Sequence, residues 1–189
     1  MYEINKTYET PKGLIKILSR TKKQKLPNGK TKHPRAVIQF VETGTVIDVQ
    51  TCNIKAGKFE DFMKPTVYGV GFMGSPIRIP DRGSNSIIRR IYDLWANMLK
   101  RAYGNYKTSY VGCRVDPRWH NFTTFLNTIH EVEGYEDWEK DSSMHLDKDI
   151  KKGNCGIYSR DHCKFVSATE NVVDSLKRRW GKTNDLTLT

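Results

Sequence analysis

The alternation of apolar and polar positions predicts a strand-rich first third of the chain. Residues 13–20 (GLIKILSR) and 35–42 (RAVIQFVE) are rich in Ile, Val, Leu and Phe, as β-strands are. Further short strands are predicted at 45–52 and around 67–72. Four or five short strands within about 75 residues are typical of a small barrel-like or curled sheet. We therefore expect a β-rich first domain over residues 1–74.

Helical periodicity replaces this pattern in the rest of the chain. Residues 75–86 contain two Pro and a Gly and are interpreted as a linker. From Ser86 to Tyr103, apolar residues recur at helical spacing, with a basic opposite face. A second helix is predicted to begin at Asp116-Pro117, with Asp as the cap and Pro in the first turn. The predicted fold class is therefore α+β, with a helical second domain over residues 87–189.

Candidate chemistry is concentrated between residues 145 and 171. His145, Asp147 and Asp149 stand two residues apart. In a β-strand, that spacing puts all three on one face, because successive side chains point to opposite faces. We therefore predict a strand whose polar face carries one imidazole and two carboxylates.

A loop, a second strand and a helix are predicted to follow this strand. The second strand is expected at about 162–166, and Ser167 or Thr169 can cap a helix that carries Asn171 in its first turn. The acidic segment before the site, residues 131–141, is interpreted as a solvated loop. Strand, loop, strand and helix together have the layout of a small metal-dependent nuclease site.

These polar residues are of the types that phosphodiester hydrolysis requires. A nuclease needs a base that activates water and a divalent cation that stabilises the leaving oxygen. Neutral His suits the first role near pH 7, and carboxylate and amide oxygens suit Mg²⁺ or Mn²⁺. His145 and His162 are the candidate catalytic residues, and Asp147, Asp149 and Asn171 are the candidate metal ligands.

Two other interpretations of the same residues stay open. Zinc could be bound by His145, Cys155, His162 and Cys163, although their spacing matches none of the paired-ligand patterns and zinc is not expected. The plainer interpretation is that His145, Asp147 and Asp149 form a solvated strand face and that Asn171 only begins a helix.

The net charge of +11 predicts a polyanionic partner, and double-stranded DNA is the partner we expect. Between Arg20 and Arg35 lie seven basic residues and no acid, around a Pro27-Asn28-Gly29 turn whose Asn-Gly pair suits a type I′ hairpin. We expect this hairpin and the basic tail to contact phosphates. The predicted DNA-contacting residues are Arg20, Lys22, Lys23, Lys25, Lys30, Lys32, Arg35, Lys177, Arg178 and Arg179.

Composition also excludes several classes of protein. No apolar run of about 18 residues exists, which argues against a membrane span. The first ten residues lack an apolar segment, so no secretory signal is expected. Four unevenly spaced Cys then predict reduced thiols in a cytoplasm. The glycines at 69, 71 and 74 open no helix and so do not predict a phosphate loop or an organic cofactor.

Taken as a set, several segments resemble the phage-encoded HNH-type homing endonucleases. The β-rich part before them also resembles the segment that precedes this module in many such proteins, so the resemblance extends over most of the chain. The matching segments are FVETGT (40–45), YGVGFMG (68–74), YDLWANMLKRAY (92–103), YVGCRV (110–115), Trp119, Phe122, Phe125, LDKDI (146–150), GN (153–154), IYS (157–159), CKFV (163–166) and Asn171.

The resemblance implies a ββα-metal fold and the cytoplasm of an infected bacterium. It makes His145 the general base at the end of the first strand and Asn171 a metal ligand on the helix. His162 stands where the family's middle Asn orients the base, and Met144 stands where the family has a metal-binding His or Asp. Either Asp147 or Asp149 then replaces that ligand, or the protein is a nucleic-acid-binding or host-interacting module without cleavage.

Overall fold

The computed structural model describes residues 2–104, 112–151 and 156–184, with side chains up to Lys177. The chain forms two compact units, which divide after Lys64. No helix in the described ranges is long and apolar enough to cross a membrane.

The first unit is built on an open, antiparallel four-stranded sheet. Its strand order is β1-β2-β5-β6, and β3 and β4 form a separate two-stranded hairpin. The described strands do not close into the barrel-like form expected from sequence, because β1 and β6 remain at opposite edges. The elements are β1 (Thr7–Thr10), β2 (Gly13–Arg20), β3 (Gln24–Lys25), β4 (Thr31–Lys32), β5 (Arg35–Phe40), β6 (Val46–Gln50) and α1 (Thr51–Ala56).

Strict alternation in β2 and β5 gives this sheet one buried face. Ile15 and Ile17 of β2 lie with Ile38 and Phe40 of β5 in the core, all at most 2% exposed. The strands predicted at 13–20 and 35–42 are thus confirmed, the second ending two residues earlier. Ile54 of the unpredicted α1 completes the core.

The basic hairpin is confirmed, but its turn is not type I′. Leu26 and Lys30 flank the turn, with Leu26 N donating to Lys30 O at 2.8 Å and Gly29 N donating to Leu26 O at 3.0 Å. Only Gly29 has a positive φ, of 76°. Pro27 holds the first turn position at negative φ, which a type I′ turn does not allow.

In its described residues, the second unit contains four short strands and four α-helices. Two small sheets pair β7 with β9 in parallel and β8 with β10 antiparallel. The elements are α2 (Ile87–Tyr103), β7 (Arg114–Val115), α3 (Phe122–Thr128), α4 (Tyr135–Lys140), β8 (His145–Asp147), β9 (Ile157–Tyr158), β10 (Lys164–Val166) and α5 (Ala168–Asn184). The chain is therefore of the predicted α+β class.

Helix α2 is the centre of the second unit, as its sequence pattern predicts. Trp95 is fully buried and donates from Nε1 to the carbonyl of Trp119 at 2.7 Å. Gly71 packs so closely that a Cβ there would lie 2.4 Å from Leu99 and 3.0 Å from Trp95. This contact places residues 65–74 in the second unit, whereas the sequence interpretation assigned them to the first.

Two sequence predictions for the middle of the chain need correction. Asp116 does cap the turn at Pro117, accepting from Arg118 N, but the helix is interrupted at Asn121, whose side chain caps α3 instead. The segment 131–141 is not a solvated loop, because it contains α4. Trp138 of that helix is 4% exposed and stacks on Phe165, with ring centroids 5.2 Å apart.

Candidate functional site

The end of the chain forms two antiparallel strands followed by a helix. His145 pairs with Val166 and Asp147 pairs with Lys164, and α5 begins two residues after β10 and contacts β8. His145 is exposed, Leu146 is buried and Asp147 is half-buried, which is the alternation that the sequence predicts. The order of elements is thus strand, strand, helix, with His145 at the start of the first strand rather than at its end.

Asp147 ends this strand by turning the chain. Its Oδ1 accepts hydrogen bonds from Asp149 N at 2.7 Å and from Ile150 N at 2.8 Å. Such a side-chain-capped turn competes with strand pairing. The prediction that Asp149 shares a strand face with His145 and Asp147 is therefore wrong, since the strand stops before it.

Asp149 forms a buried ion pair with its neighbour Lys148. The side chains are each 10% exposed, and Lys148 Nζ lies 2.5 Å from Asp149 Oδ2. The ammonium also lies 5.7 Å from the ring centroid of Tyr158, within cation–π range. Asp149 is thus engaged in holding the fold through its pair with Lys148.

The start of α5 is a capping box, which confirms Ser167 as the cap. Glu170 N donates to Ser167 Oγ at 3.2 Å, and Ser167 N donates back to Glu170 Oε2 at 2.8 Å. The hydrogen bond from the Ser167 backbone lowers the pKa of Glu170 below its ordinary value. Asn171 is the next residue and is half-buried. Its backbone N donates to the Ser167 carbonyl at 3.1 Å.

His162 lies in a turn before β10 rather than in the strand. Its Nδ1 is 2.7 Å from Ser159 Oγ, and its backbone N donates to Ser159 O at 3.3 Å. Ser159 is only 4% exposed, so this hydrogen bond holds the His162 ring against the protein. A fixed, half-buried imidazole suits a positioning role better than proton transfer with bulk water.

An open cleft of about 280 Å³ lies between α2, α4 and β8. His145 and Met144 line one side, and Arg90, Asn97 and Arg101 of α2 line the other. The guanidinium of Arg90 sits 4.6 Å from the Trp138 ring centroid and donates to the Trp138 carbonyl at 2.6 Å, so it is held in place. The cleft thus has the candidate general base, His145, on one side and arginines of α2 on the other.

Oxygen donors suitable for a hard divalent cation remain near the two strands. The side chains of His145 and Asn171 form no hydrogen bond with the described residues, and Asp147 uses only Oδ1. Asp147 and Asn171 therefore fit by chemistry, whereas Asp149 is already paired with Lys148. Within the described ranges, no three His, Cys, Asp or Glu side chains are grouped closely enough to bind a metal.

The zinc alternative gains no support from the described part of this region. Cys163 is fully buried on the core side, while His145 is exposed. Cys155 lies outside the described residues. Met144, which stands at a ligand position of the resembled family, packs against the hydrophobic core instead.

The lysines of the basic hairpin are all exposed. None of Lys22, Lys23, Lys25, Lys30 and Lys32 forms an ion pair with a described residue. Free, exposed ammonium groups on a two-stranded ribbon match what phosphate binding needs.

The two arginines at the base of the hairpin are engaged with the protein. Arg20 donates to the carbonyl of Tyr2 at 2.6 Å. Arg35 Nε donates to Asp48 Oδ2 at 2.9 Å, and its Nη2 donates to the Asp48 carbonyl at 3.0 Å. The lysines, rather than these arginines, are therefore the available charges. In the tail, Lys177 is exposed, and the side chains of Arg178 and Arg179 lie outside the described residues.

Sequence reasoning missed the contribution of Asn97 and Trp138 to the cleft. Asn97 lies on the polar face of α2, one turn before Arg101, and is exposed beside Asp93. A polar amide between Arg90 and Arg101 at helical spacing was the available signal. Trp138 gave no such signal, because its burial depends on α4 packing against β10.

Comparison with protein-family models, with curated proteins and with solved structures finds no match to this chain.

Proposed function

We propose that this protein binds double-stranded DNA and hydrolyses its phosphodiester bonds as a metal-dependent HNH-like endonuclease. The observation that carries the proposal is the cleft between β8 and α2, which has the exposed imidazole of His145 on one side and arginines on the other. The order of β8, β10 and α5 also supports the proposal, because it brings an imidazole, a carboxylate and an amide into one small motif.

In the proposed reaction, His145 acts as the general base. Its ring takes a proton from water as the water oxygen attacks phosphorus. The bond between phosphorus and the leaving sugar oxygen breaks on the opposite side, and that oxygen takes a proton from solvent. Asp147 and Asn171 would hold Mg²⁺ or Mn²⁺, which would supply positive charge for the leaving oxygen.

The test is an assay of cleavage and binding on the same DNA. Purified protein is incubated with supercoiled plasmid in Mg²⁺, in Mn²⁺ and in EDTA, and binding to a linear duplex is measured by fluorescence anisotropy in the same three buffers. We expect nicked plasmid only with metal, and binding in all three buffers. Absence of both binding and nicking would contradict the proposal.

A second candidate function is DNA binding without cleavage, on the same scaffold. The observation that favours it is the state of two ligand positions: one holds Met144, which packs against the core, and Asp149 is in an ion pair with Lys148. In the assay above, this function gives binding in every buffer and intact supercoiled plasmid with either metal. A host-protein-interacting role would instead leave the duplex unbound.

The exposed lysines of the hairpin give a separate prediction about DNA affinity. Changing Lys22, Lys23 and Lys25 to Gln should lower the slope of log affinity against log salt by about 2 to 3, because each phosphate contact releases about one counterion. The measurement is anisotropy titration of a fixed duplex from low to moderate salt.

The matched control for this prediction changes three other lysines of the first unit. Lys12, Lys58 and Lys64 lie outside the hairpin, and Lys12 and Lys64 are already ion-paired with acids at 2.6 and 2.7 Å. Their replacement by Gln should leave the slope close to that of the wild type. An unchanged slope in the hairpin variant would remove the hairpin from the DNA interface.

A further inference from the structure

A second groove, of about 620 Å³, lies beside α2. The polar and aromatic residues that line it include Tyr68, Arg82, Arg89, Tyr92 and Asn97. All of these residues belong to the second unit. Two aromatic rings, two guanidinium groups and an amide are the groups that bind a nucleotide by stacking, charge and hydrogen bonding.

The backbone at Tyr68 is unusual and singles out this side chain. Tyr68 has φ of 50°, and Asn5 is the other described non-Gly residue with a positive φ. Val70 N donates to Val67 O at 3.3 Å, so Tyr68 and Gly69 occupy the centre of a tight turn. Asn, Asp and Gly prefer that position, and a bulky aromatic residue there is strained. Such strain occurs most often at functional sites.

The ring that this strained turn presents is still available for contact. The Tyr68 side chain remains 43% exposed. Its ring leans on the end of α2, where a Cβ at Gly104 would lie 3.2 Å from Tyr68 Cδ1. The strain therefore does not serve to bury the ring in the core; it holds an aromatic surface at the rim of the groove.

The charges of the groove favour a phosphate. Arg89 is paired with Asp93 through both carboxylate oxygens and lies 5.4 Å from the Tyr92 ring centroid, so it is fixed and its charge is balanced. Arg82 is exposed and forms no ion pair with any described residue. The groove thus has one guanidinium free for an anionic ligand.

This groove shares two lining residues with the cleft that contains His145. Asp93 and Asn97 of α2 line both. A strand whose phosphate lies beside His145 would therefore pass over Asn97 into the groove at Tyr68. A base that stays stacked in the DNA double helix would not reach the Tyr68 ring, because stacking on a side chain requires the base to leave its neighbouring bases.

We propose that the Tyr68 groove binds one unpaired nucleotide of the DNA, next to the phosphate at His145. Tyr68 stacks on the base, Asn97 contacts its edge and Arg82 contacts its phosphate. The preferred substrate class is then a duplex with an unpaired nucleotide, such as a single-nucleotide bulge. This inference rests on the DNA binding proposed above and specifies which DNA is bound.

The test compares two duplexes of the same length and sequence, one fully paired and one with a single-nucleotide bulge. Affinities are measured by anisotropy in EDTA for the wild type and for Tyr68→Asn, Tyr68→Phe and Arg82→Gln. We expect the wild type to bind the bulged duplex about tenfold more tightly, which is the scale of one base–aromatic stack. Tyr68→Phe should keep that preference, and Tyr68→Asn should abolish it.

Tyr68→Asn removes the ring without straining the backbone, because Asn suits the positive φ of the turn. Its melting temperature should equal or exceed that of the wild type, so lost preference would not reflect unfolding. Arg82→Gln changes an exposed side chain and should weaken bulge binding without altering the fold. Equal affinity of the wild type for both duplexes would overturn the groove inference and leave DNA binding intact. Failure to bind either duplex would overturn both proposals.

Discussion

His145→Ala is expected to lower the rate of metal-dependent plasmid nicking by about 10²- to 10⁴-fold, the usual contribution of a general base. The side chain is exposed and forms no hydrogen bond with the described residues, so its removal should not disturb the fold. Affinity for duplex DNA measured in EDTA should change little, because the proposed phosphate contacts are made by the hairpin lysines rather than by His145. The measurement is single-turnover nicking with enzyme in excess over plasmid.

His130→Ala is the matched control, since His130 is also an exposed histidine of the second unit but does not line the cleft. It should nick at the wild-type rate. His162→Ala separates positioning from proton transfer, because His162 is held by Ser159 at 2.7 Å and is half-buried. A His145→Ala variant that nicks as fast as the wild type would contradict the role of His145 as base.

Asp149→Ala is expected to destabilise the second unit by about 3 to 5 kcal/mol, because it leaves the Lys148 ammonium buried without its carboxylate. Both side chains are only 10% exposed, so water cannot fully replace the lost partner. The free energy of unfolding is measured by urea titration followed by tryptophan fluorescence. All four tryptophans lie in the second unit, so the signal reports on that unit: Trp95, Trp119, Trp138 and Trp180.

The double variant Lys148→Met, Asp149→Leu is the control for the ion pair. Replacement of both charges by apolar groups of similar size should recover most of the lost stability. If Asp149 bound the metal instead, Asp149→Ala would lose nicking while its unfolding free energy stayed within about 0.5 kcal/mol of the wild type, as for a surface substitution. That result would reverse the assignment of Asp149 to the fold.

Together these two variants divide the polar residues of the LDKDI segment by role. In the structure, Asp147 caps a turn through Oδ1 and retains one carboxylate oxygen, whereas Asp149 is held by Lys148. The sequence spacing alone treats the two aspartates as equivalent. Their difference arises because the strand ends at Asp147, after which alternation no longer determines the direction of side chains.

Elements with strong periodicity were predicted well. The helix at 87–103 and the strands at 13–20 and 35–40 agree with the sequence interpretation, because each buries one face in a regular pattern. Capping by Ser167 and by Asp116 was also predicted, since a cap is a local interaction between residues two or three apart. Helix α4 was missed, because four acids in seven positions from Glu133 to Glu139 mask its two buried or half-buried aromatic rings.

The sequence by itself determined the α+β class, the long amphipathic helix, the basic hairpin and the surplus of positive charge, because each depends on local pattern or on composition. Only the tertiary structure decided which polar groups are available. It placed His145 and Asn97 around one cleft, buried Asp149 against Lys148 and gave the Tyr68 groove two lining residues in common with that cleft. The physical reason is that burial and pairing between residues far apart in the chain are set by packing, which sequence spacing does not specify.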